Sequence, residues 1–289
     1  MNTPENNSSN FCFCTLALGS TYCKFALDLA KDLEKYAPQK KIIIFTNNSK
    51  HFERQNNVLV FEHISNTVYN VWDKTYVIEK ALSLYENCVY FDADIRIVDY
   101  IPSDINFLPG ITAYSCFSIK KKYETVFKSP KAKSKNRRLL VHTAKKLNVN
   151  LDDVKFAWEY MWMFQRDEKT QDFIDLWRKI GRYYEQRGRY GGEGEAMGLA
   201  AAKLGISIHY DYEKSIPFFK YRDVKYKISQ GLVKQDTVQE YIDRYKEIKF
   251  PQKSFWEKVK DKIDKYVNVQ KRLMILRISN LVDFDFYYS

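Results

Sequence analysis

Residues 87–99 read NCVYFDADIRIVD, in which the apolar run Val89–Phe91 is followed at once by two carboxylates one residue apart, Asp92 and Asp94. In an extended chain, residues i and i+2 project to the same side, so both acids would face a single divalent ion. Hard cations such as Mg2+ and Mn2+ take carboxylate oxygens and keep room for phosphate oxygens. An ion so held neutralises a diphosphate and stabilises it as a leaving group. A further charged residue stands out. Glu159 lies inside the apolar stretch FAWEYMWMF, where a carboxylate is costly to bury without a partner or a task.

Acids so placed need elements to hold them. FCFCTLAL, residues 11–18, predicts a buried strand. STYCKFALDLAKDLEKYAP follows, with Tyr22, Phe25, Ala26, Leu29, Leu33 and Tyr36 on one helical face and Ser20 or Thr21 as its cap. KKIIIFTNN and NVLVFEHI read as a second and a third strand. Residues 73–86 form a helix with Val77, Ala81, Leu82 and Tyr85 in register, and residues 87–98 the next strand. Continuous apolar strands alternating with amphipathic helices indicate the α/β class, with a mostly parallel sheet flanked by helices. Ligands of such sheets bind at the carboxyl ends of the strands, which is where Asp92 and Asp94 would sit.

Further along, Ala157–Phe164 is a strand candidate, and a helix with Phe173, Leu176, Trp177, Ile180 and Tyr184 on one face follows. GRYGGEGEAMGLAAAKLGISIHYD predicts a glycine-rich loop, a short alanine-rich helix and a closing strand. The chain thus divides into a disordered polar tail (1–10), an α/β catalytic domain (11–235) and a helical, basic C-terminal extension (236–289). A basic insertion covers about 119–150; residues 119–146 hold eleven Lys/Arg and one acid, a net of +10. It reads as a mobile loop, helical from Arg137 to Leu147, and serves either as solvated surface or as a platform for an anionic acceptor or lipid. In 253–277, eight Lys/Arg stand against three acids, with Phe255, Val259, Ile263, Tyr266, Leu273 and Met274 in a stripe. That stripe is expected to dock on the core; the other reading is a membrane-surface helix.

The bulk properties narrow the classes. A chain of 289 residues, 45% hydrophobic and 16% aromatic, can bury a large core, which excludes global disorder. The net charge of +11 favours anionic partners. Five cysteines without a CxxC pair argue against a zinc site or a disulfide framework and fit a reducing cytosol. The start MNTPENNSSN has neither the basic nor the apolar region of a secretory signal, and no run of about 18 apolar residues predicts a membrane span. A cytoplasmic protein is expected, with peripheral contact at the anionic inner membrane surface as a further reading.

In order and spacing these segments resemble nucleotide-sugar glycosyltransferases of the GT-A fold, family 8 among them. VYFDADIRIVD resembles their Asp-x-Asp segment, and VWDKTYVIEKALS the helix that precedes it. TLALGSTYCKFALDLAKDL resembles their first strand–helix unit, WEYMWMFQRDEKTQDFIDLW the later acceptor strand and helix, and GGEGEAMGLAAAKLGI the acidic loop that follows. The likeness covers roughly residues 11–215. It implies a GT-A, Rossmann-like fold and transfer of a sugar from a nucleoside-diphosphate sugar, a UDP-sugar first, to a glycan, polysaccharide or lipid-linked acceptor. It implies Mn2+ or Mg2+ held by Asp92 and Asp94, with Asp94 the direct ligand. Lys74 would contact the sugar or diphosphate. Ala17 and Tyr22 would lie near the nucleobase, with Asn47 as a further pocket residue. Trp158 and Glu159 would line the acceptor or donor-sugar side, and Glu193 and Glu195 would stand in the catalytic loop.

The chain departs from the family-8 pattern in lacking Asn-Ser-Gly in the acceptor strand and the C-terminal His-x-x-Gly-x-x-Lys that brings a third ligand. His209, after the closing strand, is the candidate substitute. In an inverting reaction Glu195 would be the base; in a retaining one Glu159 or Glu195 would stand beside the anomeric carbon. Two other classes compete. A nucleotidyltransferase also pairs acids in an α/β sheet, but LALGSTYCK lacks the glycine-rich basic loop such enzymes carry. A nucleic-acid-binding protein built on the basic segment would leave the paired acids unexplained, and Tyr123 and Phe127 supply little of the aromatic interleaving it needs.

Overall fold

The computed structural model describes residues 10–125, 130–211, 214, 216–251 and 254–288. Residues 1–9 of the expected tail (1–10) and Phe127 of the basic segment lie outside the described residues. The elements are β1 (Phe11–Ala17), α1 (Ser20–Tyr36), β2 (Ile42–Thr46), β3 (Val58–Glu62), α2 (Lys74–Leu84), β4 (Asn87–Phe91), β5 (Ile95–Ile97), β6 (Ile111–Ala113) and β7 (Cys116–Ser118). Then come α3 (Ile119–Thr125), α4 (Pro130–Leu147), β8 (Lys155–Ala157), β9 (Met161–Gln165), α5 (Thr170–Gln186), α6 (Glu193–Leu204), β10 (Ile208–Tyr210) and β11 (Phe218–Lys220). The C-terminal region is helical: α7 (Tyr221–Ser229), α8 (Gln239–Lys249), α9 (Phe255–Ser279) and α10 (Phe284–Tyr288).

The class is α/β. Seven strands form a mixed sheet in the order β10-β6-β9-β4-β1-β2-β3. Pairing is parallel throughout β4-β1-β2-β3 and between β10 and β6, while β9 runs antiparallel to both its neighbours. Strand residues alternate between two apolar layers. Phe11 and Phe13 of β1 face α1, through Phe25, Leu29 and Leu33. Cys12 and Cys14 face the side covered by α2, α5 and α6, through Val77, Ile78, Trp177 and Met197. Both faces are buried, which is why these strands read as unbroken apolar runs. All five cysteines are free thiols.

Three expectations change. Residues 87–98 are not one strand: β4 ends at Phe91, residues 92–94 turn, and β5 leaves to pair with β11 in a separate ribbon. The described part of the basic segment is more helical than expected: α4 contains the expected helix Arg137–Leu147 but begins at Pro130, and α3 precedes it. Helix α1 starts after Gly19, without a side-chain cap from Ser20 or Thr21. The C-terminal helices return to the α/β body, α8 to α1 through Arg244 and Asp28 and α9 to α5. Among the described residues no helix is long and apolar enough to cross a membrane.

Candidate functional site

Strand β4 lies at the centre of the sheet and ends in the turn that carries the two acids. The turn is closed by Ile95 N–H donating to the Asp92 carbonyl at 3.1 Å. Strand alternation therefore does not bring Asp92 and Asp94 together; the turn does. Their carboxylates meet on one ammonium. Lys220 Nζ, at the end of β11, lies 3.0 Å from Asp92 Oδ2 and also donates to Asp94 Oδ1. The pairing of β11 with β5, Lys220 opposite Ile95, brings that lysine to the turn.

A second ammonium meets Asp92 from the other side. Lys74 opens α2, is almost fully buried, and holds Asp92 Oδ1 at 2.9 Å. It also donates to the Glu159 carbonyl at 2.9 Å and lies 3.4 Å from Glu193 Oε1. Burial alone would raise the Asp92 carboxyl, but the Lys220 and Lys74 charges outweigh it and hold the group down at about 2. The Lys74 ammonium would lose its proton more readily for being buried, yet Asp92 beside it keeps it well above the usual lysine range.

Glu159 and Glu193 complete the acidic side. Glu159 is half-buried in the loop between β8 and β9, and its Oε1 accepts from Gly194 N–H at 3.1 Å. Burial, with Glu193 beside it, raises its carboxyl to about 7, so it can gain or lose a proton near neutrality. The approach of α6 to β8 that makes this contact needs glycine. A Cβ on Gly194 would stand 1.9 Å from the Ala157 carbonyl oxygen, and one on Gly198 1.9 Å from that of Lys155. Leu16, Leu18, Tyr22, Tyr190, Lys265 and Arg272 join these residues around a cleft of about 650 Å3, within the size range of small-molecule sites.

The chain matches no protein-family model. No curated protein matches it either. What the site can do therefore rests on its own geometry.

Of the residues singled out in the sequence, the cleft gathers Tyr22, Lys74, Asp92, Asp94, Glu159 and Glu193. Ala17 and Asn47 do not line it. Ala17 is buried against α1, and its neighbours Leu16 and Leu18 take the cleft side. Asn47 Oδ1 accepts from Gly19 N–H at 2.8 Å and so pins the loop that carries Leu18. Glu195 is wholly buried outside the cleft. Arg189 and Lys122 each hold its Oε1 at 2.7 Å, and the Tyr123 hydroxyl donates to its Oε2 at 3.1 Å. Burial would raise that carboxyl, but Arg189 and Lys122 pull it below the usual range. It is a buried counter-ion that does not line the cleft. His209 stands on the edge strand β10, and its ring meets the Pro109 carbonyl at 3.0 Å, three strands from β4.

Among the described residues no group of three or more His, Cys, Asp or Glu gathers as a metal-ligand set. The paired acids nonetheless fit a cation, because they already share one, the Lys220 ammonium. Sequence reasoning missed Lys220, Tyr190 and Arg272. For Lys220 the available signal was a lysine closing the short apolar run PFFK.

Proposed function

We propose that this chain is a divalent-metal-dependent glycosyltransferase of the GT-A type. It would move a sugar from a nucleoside-diphosphate sugar, UDP-sugars first, to a glycan, polysaccharide or lipid-linked acceptor. The observation that carries this reading is the convergence of Asp92 and Asp94 on one cation position at the carboxyl end of the central strand, with a buried ammonium alongside.

Asp92 and Asp94 would hold Mn2+ or Mg2+ where they now share Lys220. When bound, the ion supplies positive charge to the diphosphate and eases its departure. Lys74 binds an anionic group and is already charged and desolvated, so little reorganisation opposes its electrostatic contribution. Tyr22, 41% exposed at the cleft wall, offers a ring face to a nucleobase. Glu159 titrates near neutrality and accepts the acceptor hydroxyl's proton. Glu193, 3.4 Å from the Lys74 ammonium, helps to keep it charged.

Thermal shift tests the reading, because a ligand that binds only the folded chain raises its melting temperature. A panel of UDP-, GDP- and CMP-sugars is compared with and without Mn2+. A shift confined to one nucleoside diphosphate class, and dependent on Mn2+, is expected. No shift with any member would contradict the proposal.

A further inference from the structure

Helix α9 overturns the expected docking of the stripe Phe255, Val259, Ile263, Tyr266, Leu273 and Met274 on the core: Val259 and Leu273 are half-buried, and the other four are more than half exposed. Lys265, Asn268, Val269, Arg272 and Leu276, at helical spacing, turn toward the body. The first four line the cleft and Leu276 is buried. Arg272 fastens this side to the loop before α2, donating to Asn70 Oδ1 at 2.8 Å and to the Thr67 carbonyl at 3.1 Å. The apolar face turns outward. Trp256, Ile263, Val267, Met274 and Ile278 follow each other at intervals of 7, 4, 7 and 4 residues and so form one stripe. All five are more than half exposed, Trp256 at 76% and Met274 at 65%. The stripe continues beyond the helix in Leu281, Val282 and Phe284, all exposed. A contiguous apolar face of this kind marks a surface that something covers.

Charge selects the occupant. Within α9, seven Lys/Arg stand against three acids, and Lys260, Lys262, Lys271 and Arg277 are exposed among the apolar side chains. A basic helix with an aromatic and aliphatic face lies in the headgroup region of an anionic bilayer, apolar side down and cations toward lipid phosphates. We infer that α9 is a membrane-docking helix that seats the protein on an anionic lipid surface. One helix then carries both the lipid contact and one wall of the cleft, which brings the cleft to the lipid boundary. A lipid-linked acceptor is the substrate class this arrangement suits. That choice of acceptor rests on the transferase reading; the lipid contact does not.

Sedimentation of the full chain with vesicles is the test. One set contains phosphatidylglycerol in phosphatidylcholine and the other phosphatidylcholine alone, and the double variant Trp256→Asp/Met274→Asp is run beside the native chain. Both positions are exposed, so the fold does not depend on them. The native chain is expected to pellet with the anionic vesicles, to be released as salt rises, and to lose at least tenfold in binding in the double variant. Equal binding to neutral vesicles, or full binding by the variant, would overturn the proposal. So would a lipid-free dimer that the variant dissociates, since a second copy would then be the occupant. A failed vesicle test leaves donor binding in the thermal-shift panel untouched, and a failed panel leaves vesicle binding untouched.

Discussion

Lys220 Nζ lies 3.0 Å from Asp92 Oδ2 while it also donates to Asp94 Oδ1. One ammonium thus bridges two carboxylates that would otherwise repel each other, and Lys74 supplies Asp92 with a second. Lys220→Met removes the ammonium that Asp94 shares and leaves Asp92 with Lys74 alone, and folding stability is expected to fall by about 1–3 kcal/mol, the usual cost of stranding a partly buried polar partner. Mn2+ should restore the loss, and Mn2+ should bind the variant more tightly than it binds the native chain. Denaturant unfolding and Mn2+ titration check both statements. A variant that binds Mn2+ more weakly than the native chain would show that Lys220 does not occupy the cation position.

Glu195 gives a contrasting prediction. It is wholly buried, and Arg189 and Lys122 both close on it at 2.7 Å. Removing one member of such a cluster strands buried charge, so Glu195→Ala should cost about 3–5 kcal/mol. The loss should appear in denaturant unfolding, while the variant that remains folded keeps its affinity for donor.

Gly198 has no room for a side chain, since a Cβ would meet the Lys155 carbonyl oxygen at 1.9 Å. Gly198→Ala forces α6 off β8, at a cost of about 1–3 kcal/mol or more. The displacement should also weaken the hydrogen bond from Gly194 N–H to Glu159, which holds that carboxyl down, and so move the Glu159 limb described next to higher pH. Thermal unfolding and a pH–rate profile read the two effects.

Glu159 predicts a pH dependence. Its folded-state carboxyl, raised to about 7 by burial and by Glu193, must lose its proton to act as base. Activity should therefore rise as pH passes through about 7, and Glu159→Gln should remove that limb of the profile. The stability sign is opposite. The unfolded carboxyl titrates near ~4.3, so the proton held in the folded state contributes stability that is complete below that value and lost as pH rises through about 7. Relative to Glu159→Gln, the native chain should become less stable between those two values.

The sequence made the first half of the fold legible because its signals are local. The apolar runs of β1, β2 and β4 and the periodic faces of α1 and α2 are complete within short windows. Six of the expected site residues line one cleft for the same reason, since β-strand ends and helix starts carry them. What stayed hidden depends on distance or direction. Lys220 is 126 residues from Asp94 and reaches it only through pairing of two short strands. Glu193 and Glu195 look equivalent in sequence, yet two residues on a helix point roughly 200° apart, so one faces the cleft and the other the core. The stripe read from the sequence of α9 shares only Ile263 and Met274 with the face that α9 turns outward, and periodicity does not say which side of a helix meets the body.

The central claim is that Asp92 and Asp94 hold a divalent ion for a nucleotide-sugar donor. The direct measurement is transfer or hydrolysis of UDP-sugars with Mn2+, comparing the native chain with Asp94→Ala. The account predicts Mn2+-dependent release of UDP by the native chain and a loss of at least a hundredfold in the variant, corresponding to about 2.7 kcal/mol or more of transition-state stabilisation. Full activity in Asp94→Ala, or activity indifferent to removal of Mn2+ and Mg2+ by chelation, would contradict it.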